Sequence, residues 1–155
     1  MVDRHDYVAL EWVKGDIAET LKQARSALDA FVETHDDGVI SQCLAGIHQV
    51  HGALQMVEFY GAALLAEEIE ELALALQAGQ VSQREESIRL LQQALGQLPL
   101  YLDRVHSARR DLPLVVLPLL NDLRSARGES LLSETSLFSP QLLSIAPLPE
   151  DALAQ

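Results

Sequence analysis

Ile47-His48-Gln49-Val50-His51-Gly52-Ala53 is the stretch on which the reading of this chain turns. Ile47, Val50 and Leu54 recur at helical spacing, so the stretch is part of an amphipathic helix. Gly52 and Ala53 follow His48 four and five residues on and leave space beside its imidazole. The helix is expected from about Val39 to Met56, with Ile40, Cys43, Leu44, Ile47, Val50 and Leu54 as its apolar stripe. Asp36-Asp37-Gly38 ahead of it reads as a turn leading into an N-cap.

Three more segments share this periodicity. Leu10, Val13, Ile17, Leu21, Ala24, Leu28 and Phe31 form one long seam upstream, which Gly15 weakens without ending. Downstream, Phe59, Ala62, Ala66, Ile69, Ala73 and Leu76 mark a third helix that stops at Gly79, a residue suited to a left-handed C-terminal position. Ser82 and Glu85 read as a capping box, and Ile88, Leu91, Leu95, Leu98, Leu102 and Val105 follow as a fourth seam. Pro99 falls inside that seam and predicts a kink near Gly96 rather than a break. Asp111-Leu112-Pro113 opens a fifth element that ends near Arg127-Gly128, starting either at Pro113 with a kink or at Pro118. The expected fold is all-α: an up-and-down four-helix bundle with an additional C-terminal helix. Residues 1–127 form the bundle domain in this reading, and residues 128–155, punctuated by Pro140, Pro147 and Pro149, a linker or tail.

Composition agrees with this class. The chain has 155 residues, 48% hydrophobic and only 5% aromatic, with six prolines and eight glycines, too few for a loop-rich fold. Its net charge of −12 repels phosphate backbones and anionic lipids, so neither nucleic acid nor a membrane is an expected partner. No apolar run approaches a membrane span, and the N-terminus lacks the pattern of a secretion signal. With Cys43 as the one cysteine, a cytoplasmic location is expected.

The chemistry rests on the second helix. At about 100° per residue, His48 falls at the edge of the apolar stripe, beside Ser41, Ala45, Gly52 and Gln55, while His51 points more nearly inward. An imidazole in so open a strip can accept a phosphoryl group from a docked partner. The plainer alternative is a boundary histidine without chemistry. For His51 the choices are a donor to phosphoryl oxygens or a core-edge histidine satisfied by Tyr60 or Glu58. Ser41, Ala45, Gln49 and Gln55 are the expected partner-docking residues. His48 and His51 could share a metal at i,i+3, but no Glu-x-x-His pattern accompanies them and Cys43 lies on the apolar stripe, so neither a metal nor another cofactor is expected. The glutamates of the third helix, Glu67, Glu68, Glu70 and Glu71, read as a solvated face, and Trp12, off the first helix's seam, as a cap on the bundle end ahead of a contact with a partner.

His48 followed by Gly52 resembles the histidine phosphotransfer (HPt) motif His-x-x-Lys-Gly, with His51 in place of the lysine. The run from His48 to Glu68, Asp111-Leu112-Pro113 through Arg124, and Leu131 to Thr135 resemble the N-terminal, FimL-like HPt module of ChpA/PilL-type hybrid chemosensory histidine kinases. The resemblance implies an HPt-type bundle with its phosphoacceptor at His48 and its lysine position at His51. It implies a response-regulator receiver domain as partner, other domains of the same kinase, and control of type IV pili and twitching motility. No ATP-binding core is present, so the chain has no kinase activity of its own in this reading. The chain departs from the pattern again at Met56, Phe59 and Tyr60, whose bulk is placed to cover the site. Two other functions fit the same residues: a degenerate HPt-like module that docks a receiver or polar scaffold protein without carrying phosphate, and a structural dimerisation bundle.

Overall fold

The computed structural model describes residues 4–57, 59–108 and 113–133, and side chains from residue 11 onward. Leu10, Glu58, Asp111, Leu112 and the prolines of the tail therefore lie outside the described side chains or residues. Within them the chain forms α1 (Arg4–Thr34), α2 (Asp37–Met56), α3 (Tyr60–Gln77) and α4 (Arg84–Ala108). A turn of 3₁₀ helix (Pro113–Val116) then leads into α5 (Leu117–Ala126). The first four helices close a ring in chain order, α1 packing on α2 and α4, and α3 on α2 and α4. The additional helix α5 and the turn before it lie against α3 and α4.

Short-range chemistry sets the helix ends. Asp36 caps α2, its Oδ1 accepting from the Gly38 amide at 2.8 Å, so the helix starts at Asp37, two residues before the expected start at Val39. Helix α3 ends as predicted at Gly79, which takes a φ of +72° while the Gln80 amide donates back to the Ala75 carbonyl at 2.8 Å. Gly128 closes α5 the same way, with the Glu129 amide donating to the Arg124 carbonyl at 2.8 Å. Helix α4 begins at Arg84, and its first turn is closed by the Ser87 amide on the Gln83 carbonyl at 2.9 Å. That is one residue later than the capping box at Ser82 places it. Pro99 sits inside α4, which runs on unbroken to Ala108. Both starts weighed for the fifth element are used, since the 3₁₀ turn opens at Pro113 and Pro118 lies in the first turn of α5, where a missing N–H costs nothing.

The apolar seams meet inside the ring. All six stripe residues of α2 are buried, as are the predicted seam residues of α3 and α4 and those of α1 from Ile17 to Phe31. Gly46 lets α1 and α2 approach closely, because a Cβ there would stand 3.4 Å from both Ala24 Cβ and Thr20 Cγ2. Helix α3 is covered more completely than one seam allows. Ala63, Leu65, Glu68 and Leu72 are buried as well, because α5 and the 3₁₀ turn cover a second side of the helix.

Glu68 corrects the expectation that the α3 glutamates form a solvated face. Its side chain is 3% exposed and accepts from Arg124 Nη1 at 2.7 Å and Arg127 Nη2 at 2.9 Å. These two ion pairs hold α5 on the bundle. The segment after α5 is tied down in turn, since Asn121 exchanges two hydrogen bonds with the backbone of Leu132, at 2.7 and 3.0 Å. Trp12 also departs from expectation. It is 81% exposed on α1 and caps nothing.

Two predictions follow from this packing. Glu68→Ala strands two largely buried guanidinium groups and is expected to cost about 3 kcal/mol, read as a lowered urea midpoint. Cys43 is buried and its thiol is pushed up to about 12 by that burial, so Ellman's reagent at pH 8 is expected to label it only after denaturation.

Candidate phosphotransfer site

The site is built where α2 and α3 run past one another. Val57 to Phe59 joins the two helices, and Phe59 is fully buried, so the turn is anchored in the core. The helices then stay in step. His48 pairs with Glu70, and two turns further from the connection Ser41 accepts from Gln77 at 3.0 Å.

Each predicted residue occupies a definite place. The His48 side chain is 76% exposed, and its Nδ1 lies 2.8 Å from Glu70 Oε2. His51 is largely buried, with its Nδ1 3.1 Å from Glu70 Oε1. Its inward orientation is therefore as expected, but its partner is Glu70 and not Tyr60. Gly52 is exposed with open space where a Cβ would be, which keeps the strip beside His48 low. Ser41, Ala45, Gln49 and Gln55 are all exposed. Ala45 and Gln49 also border a shallow groove of about 380 Å³ between α1 and α2. Met56 and Tyr60 are exposed and Phe59 is buried, and with His48 itself open to solvent they do not cover the ring.

Glu70 is the residue that sequence reasoning missed. It is 16% exposed and divides its two oxygens between the two histidines. A carboxylate only accepts, so both contacts place a proton on Nδ1 of the ring. For His48 this leaves the Nε2 lone pair facing solvent, with no hydrogen-bond partner among the described residues. For His51 it leaves Nε2 buried and without a partner among the described residues. The signal for Glu70 was the three-residue connection, which fixes which α3 position lies across from His48.

The surroundings are acidic. Glu67 lies partly buried one turn ahead of Glu70 and Glu71. Burial raises its carboxyl above the usual carboxylate range, His51 opposes that shift, Glu68 and Glu71 add to it, and Arg127 opposes it. Leu74, exposed one turn beyond Glu70, supplies an apolar spot on the same flank.

The sequence matches a known family. The sequence profile of the Hpt domain covers residues 8–108, which span nearly all of α1 and the whole of α2, α3 and α4. The chain belongs to the Hpt domain family. Helix α5, with Arg124 and Arg127 that grip Glu68, lies beyond the residues that the family profile covers. Over 135 residues the domain is also 32% identical to the scaffold protein FimL of Pseudomonas aeruginosa, a match covering 86% of this chain and 24% of FimL. The chain thus spans about a quarter of that relative. No solved structure matches the domain.

The tautomer is directly testable. Nitrogen-15 spectra of the histidine rings are expected to show the His48 proton on Nδ1. In Glu70→Ala the proton is expected to redistribute toward Nε2, with the helical content unchanged. An unchanged tautomer would mean that Glu70 does not orient the ring.

Proposed function

We propose that this Hpt domain carries a phosphoryl group on Nε2 of His48 and exchanges it with the phosphoaspartate of a response-regulator receiver domain. The observation that carries this reading is the 2.8 Å contact between His48 Nδ1 and Glu70 on a ring otherwise open to solvent. The Nε2 lone pair attacks phosphorus, the N–P bond forms, and the P–O bond to the receiver's aspartate breaks. The aspartate leaves as a carboxylate. The phosphorylated ring keeps its Nδ1 proton and gains positive charge, which Glu70 already faces. The receiver supplies the magnesium and positive charge, and Ser41, Ala45, Gln49 and Gln55 form the surface on which it docks.

The wider setting belongs to the same proposal. The similarity to FimL and the resemblance to ChpA/PilL-type modules support a place in a cytoplasmic chemosensory kinase system that controls type IV pili. Other domains of that system supply the kinase core.

A second reading has its own support. His51 stands where the motif has lysine, and it shares the carboxylate that orients His48. FimL, to which the domain is similar, is a scaffold protein. On this reading the fold is kept for docking a receiver or a polar scaffold protein, and phosphoryl transfer is lost.

One experiment separates the two. The domain is incubated with phosphorylated receivers and assayed by mass for an acid-labile, base-stable phosphoryl adduct. An adduct absent from His48→Gln is expected, and His51→Lys is expected to speed transfer about tenfold, or about 1.4 kcal/mol of barrier. No adduct, with receiver binding still measurable by calorimetry, would overturn transfer and leave docking.

A further inference from the structure

We propose that His48, His51 and Glu70 form a binding site for a divalent transition-metal ion of the zinc type. One ring nitrogen from each histidine and a carboxylate oxygen of Glu70 all lie within 4.8 Å of one another. In a tetrahedral zinc site with bonds of about 2.0–2.2 Å, neighbouring ligand atoms stand roughly 3.3 Å apart. The His48–Glu70 and His51–Glu70 contacts, at 2.8 Å to Oε2 and 3.1 Å to Oε1, lie near that spacing, and the rest of the set closes from within 4.8 Å when the exposed His48 ring turns. The ring that must stay put is held, because His51 is largely buried and comes from the same well-packed helix as His48. The ring that must adjust is the exposed one. The expectation of no metal rested on the missing Glu-x-x-His pattern, but here the carboxylate arrives from a different helix.

The chemistry of the donor set selects the ion. Two imidazoles and one carboxylate suit zinc, nickel or copper, whereas magnesium and calcium prefer oxygen alone. Three protein ligands with an exposed ring on one side leave the fourth position to water, the pattern of an open zinc site. Electrostatics favour the ion as well. The lysine of the HPt motif would place a cation at position 51 and repel a metal, while here the net charge is −12 and Glu67 and Glu71 flank the trio.

Occupancy has a consequence that rests on the proposed phosphoryl transfer. A metal ion on Nδ1 of His48 forces the ring's proton onto Nε2, the atom that would attack phosphorus, so the metal-bound form cannot accept the phosphoryl group. The test of the site itself needs no phosphoryl transfer. Calorimetric titration of the whole domain with zinc is expected to show one ion per chain. Binding is expected to weaken at least tenfold in each of His48→Ala, His51→Lys and Glu70→Gln, and to be unchanged in His106→Ala. Magnesium is expected to give no binding, and cobalt to give the visible absorption of a tetrahedral site. Absence of a 1:1 zinc complex would overturn the proposal, as would zinc binding that survives His48→Ala, a substitution at an exposed position that leaves the core intact. If zinc binds as stated and no receiver phosphorylates His48, the site stands and the transfer reading alone falls.

Discussion

The antiparallel register of α2 and α3 is the constraint on which the site depends. Val57 to Phe59 connects the helices, and the burial of Phe59 fixes that connection to the core. With the turn anchored, the pairing of His48 with Glu70 and of Ser41 with Gln77 is set two turns apart along one seam. The chemistry is therefore positioned by packing at a distance from it. The histidine itself contributes little to stability, since its ring is mostly in water.

Helix α3 occupies an unusual place in the bundle because it is covered on more than one side. Its inner seam meets the ring of helices, and α5 with the 3₁₀ turn covers another side. A wholly apolar second side would bind any greasy surface. Glu68 makes the contact selective, because its buried carboxylate needs the two arginines that α5 supplies. The same helix thus carries one glutamate that anchors structure and another, Glu70, that orients chemistry. They sit two residues apart and face different neighbours.

Much of the fold was legible in the sequence because it depends on periodicity. The α2 stripe from Ile40 to Leu54 coincides with the residues buried in the structure, and Gly79 ends α3 as its left-handed preference demands. The wheel placed His48 at the boundary of core and solvent beside Ser41, Ala45, Gly52 and Gln55, and in the structure all five are exposed. The glutamates were not legible. Charge along a helix reads as solvated unless a partner is known, and the partners of Glu68 and Glu70 lie 56 and 22 residues away in sequence. Trp12 failed for the converse reason. It was expected to cap the bundle end, but no element of the described structure reaches over that side of α1.

Glu70 has only one carboxylate, and it serves two rings at once. This makes positions 48, 51 and 70 a single unit of inheritance. A change at position 51 alters what the carboxylate can offer position 48, even though the two rings do not act on the same atom. The effect of any one of these residues on fitness is then defined only for a given choice of the other two. Lineages that exchange lysine and histidine at position 51 are expected to pass through different intermediates depending on whether the glutamate is already in place.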